Sequence, residues 1–132
     1  MFVNSESYIK YLKFWLISLF ILIILMVAVG GLTRLTDSGL SITAWELFTG
    51  ILPPLNNSEW DNYFLEYKKI PEYQNINFDM TLTDFKVIFY WEYAHRLLAR
   101  IVGLFSLLPL IFFTLKFKNN NFYSNKYYLI FL

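Results

Sequence analysis

Hydrophobic residues along this 132-residue chain are gathered into long blocks, without the regular alternation of a soluble helix or strand. From Phe14 to Leu32, Ser18 is the only clearly polar member. At 1.5 Å per residue this run is about 28 Å long, close to the thickness of a bilayer's hydrocarbon layer, and it predicts one transmembrane helix over 14–32. A second helix is predicted over 87–117. If continuous it is about 46 Å long and has to tilt or protrude. Its clean apolar part is Ile101–Leu115, its first half carries Glu92, His95, Arg96 and Arg100, and Pro109 is expected to kink it.

The intervening segment, 33–86, reads as an outer loop with structure of its own. Trp60, Tyr63, Phe64 and Tyr67 fall at i, i+3, i+4 and i+7, which predicts a short amphipathic helix over 59–69, opened by Ser58 and stopped before Pro71. Such a stripe suits a lid lying over a site, and equally an ordinary interfacial helix in an aromatic belt. Thr81 and Asp84 have the spacing of a capping box opening the second long helix. Asn56-Asn57-Ser58 matches a glycosylation sequon, a match expected to be coincidental. After a connection at 118–126, an apolar run begins at 127–132, so the sequence is expected to be the start of a longer polytopic chain. The predicted fold class is therefore all-α, a helical membrane bundle.

Charge adds an orientation. Lys10 and Lys13 precede the first helix, Lys116, Lys118 and Lys126 follow the second, and the loop between holds four basic against eight acidic residues. Positive-inside counting puts both ends in the cytoplasm and the loop outside. The first apolar run is longer than a signal peptide's and no small-x-small cleavage site follows it. Composition agrees with a membrane protein: 57% of residues are hydrophobic, 21% aromatic and 16% charged. No basic stripe points to nucleic acid. With no cysteine, thiolate metal sites and iron–sulfur clusters are excluded within this sequence.

Ionisable groups in a membrane helix are costly and tend to face a ligand, water or the bundle interior. Glu92 and His95 share a helix face, as do Glu92 and Arg96. Counted back from Lys116, His95 lies about 31 Å higher, at the outer edge of the hydrocarbon layer, and Arg34 reaches a similar depth. Ala99, Val102, Gly103 and Ser106 continue the His95 face with small residues that would admit a flat macrocycle or another helix. Histidine is a common haem-iron ligand, and arginines pair with propionates. On spacing alone an interfacial histidine that merely bonds a loop, and arginines that snorkel to the surface, stand beside that reading.

Five separated stretches then carry a resemblance. They are VGGLTRLTDSGLSITAW (Val29–Trp45), TGILPPL (Thr49–Leu55), EWDNYFLEYKKIPEY (Glu59–Tyr73), MTLTDFK (Met80–Lys86) and WEYAHRLLAR (Trp91–Arg100). In this order they closely resemble the haem A synthase family, in its cysteine-free alphaproteobacterial and mitochondrial form. The resemblance implies eight helices in two similar four-helix halves, each with a pair of haem-ligating histidines, of which this chain would be the first two helices and the start of a third. It implies that His95 is the first ligand of the N-terminal half, which takes the substrate haem O, and that Glu92 is the functionally important acid one turn before it. Haem b is the implied resident cofactor. Arg34, Arg96 and Arg100 become candidates for propionate contacts. The implied reaction oxidises the C8 methyl group of haem O through a hydroxymethyl stage to the formyl of haem A, for haem–copper oxidases. Haem O synthase, an electron donor and membrane lipid are the implied partners, and the bacterial cytoplasmic membrane, or the mitochondrial inner membrane, the implied location. One histidine supplies one axial bond, so these residues alone complete neither a bis-histidine pair nor a second haem, and are expected to be inactive alone. A diheme electron carrier of the cytochrome b kind is the main rival, and a structural assembly subunit a second.

Overall fold

A computed structural model describes residues 5–44 and 49–117, and the expectations for 118–126 and 127–132 lie outside these described residues. The elements are all helical: α1 (Ser5–Leu35), a 3-10 turn (Thr49–Ile51), α2 (Asn57–Tyr67), α3 (Pro71–Asn75) and α4 (Leu82–Phe117). Two of them, over Ile9–Leu35 and Leu82–Ile111, are long and apolar enough to cross a membrane. Their large apolar side chains are uncovered: Phe14 is 70% exposed, Phe20 64% and Val27 67%. A soluble protein hides such residues in its core, so this surface suits lipid or further apolar protein rather than water.

α1 begins nine residues before the apolar run, at Ser5. Hydropathy marks only the part that crosses lipid, whereas the hydrogen-bonded ladder extends through Lys10 and Lys13. Its end has a specific lock. Asp37 takes a left-handed conformation, φ 48°. Ser38 N–H then reaches back to Thr33 O at 2.9 Å, and Asp37 N–H to Arg34 O at 3.4 Å. This is a Schellman termination with aspartate where glycine is commoner, and it turns the chain sharply out of the helix.

α2 starts one residue earlier than its predicted cap. The capping side chain is that of Asn56, whose Oδ1 accepts from Glu59 N–H at 2.8 Å, while the Glu59 carboxylate accepts from Leu55 N–H and from the Asn56 amide. Ser58, expected at that position, lies inside the helix and donates to Asn56 Oδ1. The reciprocal arrangement outcompetes a lone serine because both chain ends of the turn are satisfied at once. Past α2, Pro71 stands at the first turn of α3, where its missing N–H costs nothing, so the proline that ends one helix opens another. At Thr81 the capping box is present: Thr81 N–H and Oγ both donate to Asp84 Oδ2, and Asp84 N–H returns a bond to Thr81 Oγ.

The described parts of the chain form two compact units: residues 5–22 with 100–117, and residues 23–99. In the first, α4 continues through Pro109, which has no N–H to give the Phe105 carbonyl four residues back. The indole N–H of Trp15 donates to that same carbonyl at 2.7 Å.

In the second unit the outer segment builds an aromatic core on the start of α4. Trp60, Phe64 and Tyr67 of α2 are buried against Phe85, Ile88 and Phe89. Phe85 and Phe64 stack at 5.0 Å, Tyr67 lies 5.2 Å from Phe85, and Trp60 meets Phe89 edge-on at 4.9 Å. Tyr63 is only half-buried at the rim of this cluster. Lys68 and Lys86 set their ammonium groups over Phe64 and Trp60, at 4.2 and 5.0 Å. The core fixes α2 on α4 just outside the polar half of that helix.

Candidate functional site

Glu92, His95 and Arg96 lie within two turns of α4 in the second unit, and the chain leaving α1 bonds to Glu92 and Arg96. Glu92 is only 4% exposed. Its Oε2 accepts from Ser41 Oγ and from Ile42 N–H, both at 2.7 Å. Its Oε1 accepts from Arg96 Nε at 2.9 Å and from Arg96 Nη2 at 2.6 Å. The same guanidinium donates to Ile42 O at 2.9 Å and Ala44 O at 3.3 Å. A carboxylate with four donors, two on a cation, is held in one orientation as a fixed negative charge. The cluster also pins segment 41–44 to α4, a second tie being Tyr93 Oη, which donates to Ile51 O at 2.7 Å.

His95, one turn beyond Glu92, is half-buried, and its ring makes no hydrogen bond to another described residue. It lies against α1 at Gly30. A Cβ placed on Gly30 would stand 3.0 Å from Nε2, 3.4 Å from Cδ2 and 3.7 Å from Cε1. A point in line with the Nε2 lone pair would be far more distant from both carbons than from the nitrogen. The glycine therefore sits over the face of the ring, and the lone pair is directed past it. Gly30 is itself tied down, its carbonyl accepting from Thr33 Oγ at 2.7 Å. An imidazole with no hydrogen-bond partner among the described residues, its Nε2 lone pair directed past Gly30, fits a ligand of haem iron. One such ring is present among the described residues, so they provide one axial bond.

The arginines differ in their surroundings. Arg96 is spent on Glu92 and on the backbone of 42–44. Arg34, one turn past Gly30 at the end of α1, is exposed and has no ion pair among the described residues. Arg100 belongs to the other unit, where its side chain is half-buried. Along the small-residue face, Ala99 and Gly103 are exposed, and a Cβ on Gly103 would meet nothing within 4 Å.

Acidic groups gather near this site on the outer-segment side. The Glu72 carboxyl is pushed up chiefly by desolvation, with the charges of Asp37 and Glu92 adding to it and a hydrogen bond from Tyr67 opposing it. Tyr67 Oη donates to Glu72 Oε1 at 3.1 Å and accepts from Asn77 Nδ2 at 2.7 Å. Burial pushes the Tyr67 phenol up to about 12.

Sequence reading places Glu92 and Arg96 on one face. It does not foresee Ser41 and Ile42, which come from 51 and 50 residues away. Nor does it foresee Gly30, although a glycine inside an apolar helix is a signal of close approach.

Comparison with known proteins adds three findings. The sequence profile of a cytochrome oxidase assembly protein family matches residues 13–132. The heme A synthase of Pelagibacter ubique (strain HTCC1062) is 79% identical over 131 residues, covering 99% of this chain and 39% of that protein. Those of Bradyrhizobium diazoefficiens and Sphingopyxis alaskensis are 55% and 52% identical over 83% and 75% of the chain, and 30% and 28% of their own lengths. The chain thus spans little more than a third of these relatives at most. No solved structure matches it.

Proposed function

The chain belongs to the cytochrome oxidase assembly protein family, and on that premise we propose that it forms part of a haem A synthase, with His95 as an axial ligand of the substrate haem O. Haem O brings to the site the C8 methyl carbon that becomes the formyl of haem A. The observation that carries this reading is the imidazole of His95, without a hydrogen-bond partner among the described residues and half-buried one turn from a carboxylate that cannot turn away. A group so thoroughly supplied with donors is a poor proton shuttle and a good fixed charge. Glu92 therefore acts by stabilising positive charge that develops on the oxidised methyl carbon, in a site where low dielectric makes one oriented charge worth much. Arg34, exposed at the end of α1, is the arginine available to a propionate. Arg96 works through Glu92 and the backbone, and Arg100 is a secondary candidate. Haem b, in the complete enzyme, would draw its ligands from further histidines.

The location proposed is the bacterial cytoplasmic membrane, with the aromatic outer segment on the far side from the cytoplasm. The lysines flanking both long helices and the acidic excess between them support that orientation.

One observation favours a rival. Both Glu92 oxygens are engaged in holding segment 41–44, as they would be in an electron-carrying haem protein with no haem-modifying chemistry. Glu92→Gln in the intact protein, made in cells that supply haem O, separates the two. The amide keeps an acceptor for Ser41 or Arg96 but loses the charge. Extracted haems resolved by chromatography should show haem A lost, and haem O or its hydroxylated product accumulating, while the protein still binds haem. Unchanged haem A output removes Glu92 from the chemistry.

A further inference from the structure

Gly30 lies in the middle of an apolar helix, where alanine would serve the backbone better. Two facts explain why it is not alanine. Its Cα faces the ring of His95 so closely that a methyl group would sit 3.0 Å from Nε2. The next residue, Gly31, would meet nothing within 4 Å. Of two adjacent glycines, then, only Gly30 stands where a side chain would crowd a neighbour.

We infer that Gly30 is a positioning residue for His95, and that its missing side chain sets the tilt of the imidazole presented to iron. The inference rests on His95 being an iron ligand. The contact falls over the ring face near Nε2, so a methyl group would press the ring about its Cβ–Cγ bond without blocking the lone pair. The backbone cannot retreat easily to make room. Thr33 (6% exposed) holds the Gly30 carbonyl at 2.7 Å and is itself held by Ser38 N–H. Three residues further, Ser41 and Ile42 are tied to Glu92, one turn from His95. A run of hydrogen bonds thus ties the end of α1, beyond Gly30, to α4 one turn from His95. The push has to be taken up by the imidazole.

Gly30→Ala and Gly31→Ala make a matched pair in the intact, haem-loaded protein. Both gain the same helix propensity, and only the first adds an atom against the ring. Low-temperature electron paramagnetic resonance reads the ligand field of the haem, and the absorption spectrum reads its content. Gly30→Ala is expected to shift the resonance of the His95 haem or to reduce its occupancy several-fold, with Gly31→Ala matching the parent in both. A parental signal in Gly30→Ala overturns the inference. Should Gly30→Ala accumulate poorly, it is combined with His95→Ala. The folding defect should be relieved once the ring is gone, and an equal defect in both backgrounds overturns the inference as well. His95→Ala by itself keeps the two questions apart. If it leaves haem content and spectrum at parental values, the ligand assignment fails, whatever the glycine variants do.

Discussion

Arg96→Gln tests whether the buried carboxylate holds the chain leaving α1 against α4. In the parent, the guanidinium supplies two of the four donors to Glu92 and also grips Ile42 O and Ala44 O. The Glu92 side chain is 6% exposed and that of Arg96 29%. Removing one partner of a fully buried pair costs about 3–5 kcal/mol, chiefly because a buried charge is left uncompensated. Partial exposure of Arg96 lets water recover some of this, which lowers the expected cost to about 2 kcal/mol. At about 1.4 kcal/mol per tenfold, the local opening equilibrium rises about 25-fold. The Ile42 amide is the natural reporter, since it donates directly to Glu92 Oε2. Its hydrogen exchange in the purified intact protein, followed by mass spectrometry, should accelerate by about that factor, because exchange of a bonded amide tracks local opening. The double variant Glu92→Gln/Arg96→Gln should cost less than the sum of the singles, since neither then strands a charge. Exchange at Ile42 within twofold of the parent would refute the argument, as would additive costs.

Other perturbations address the outer segment. Phe85→Ala removes a fully buried ring packed on Phe64 and Tyr67, and should cost about 3–5 kcal/mol in thermal unfolding. Thr81→Ala deletes half of the capping box and should cost about 1 kcal/mol, seen as faster amide exchange confined to the first turn of α4. Glu72→Gln should stabilise the protein at neutral pH. A carboxyl whose folded pKa is raised loses stability as it ionises, so the gain should vanish below the unfolded carboxylate's titration, as melting at two pH values will show. The Tyr67 phenol, raised to about 12, contributes stability that is whole below pH 10 and lost as pH rises towards 12, and Tyr67→Phe should remove that part of the alkaline transition.

The parts of this architecture that were legible in sequence are those set by local spacing. Both apolar runs, the Thr81–Asp84 box and the inward face of Trp60, Phe64 and Tyr67 follow from residues within a few turns of one another. Where local rules competed, they were harder to rank. Asn56 and Ser58 are both good caps, and only the reach of Glu59 back to Leu55 and Asn56 decides between them. Pro71 reads as a stop, yet it also starts α3, because a first helical turn has no use for its N–H. The site itself was half legible. Glu92 and Arg96 pair at i, i+4, but what they hold comes from 50 to 54 residues away, through backbone groups that carry no sequence signature. Arg96 bonds Glu92 and the carbonyls of Ile42 and Ala44, partners that its spacing on the helix does not reveal.

The bond from Trp15 to the Phe105 carbonyl bears on the order of synthesis. Trp15 precedes its acceptor by 90 residues. At about 5–20 residues per second, its indole is in place roughly 5–20 s before the proline-containing turn is made. An unserved carbonyl is expensive in hydrocarbon. The earlier helix therefore offers a donor waiting at a point where the later helix cannot satisfy itself, and a chain that lost Trp15 would be exposed to quality-control proteolysis during insertion, before any haem arrives.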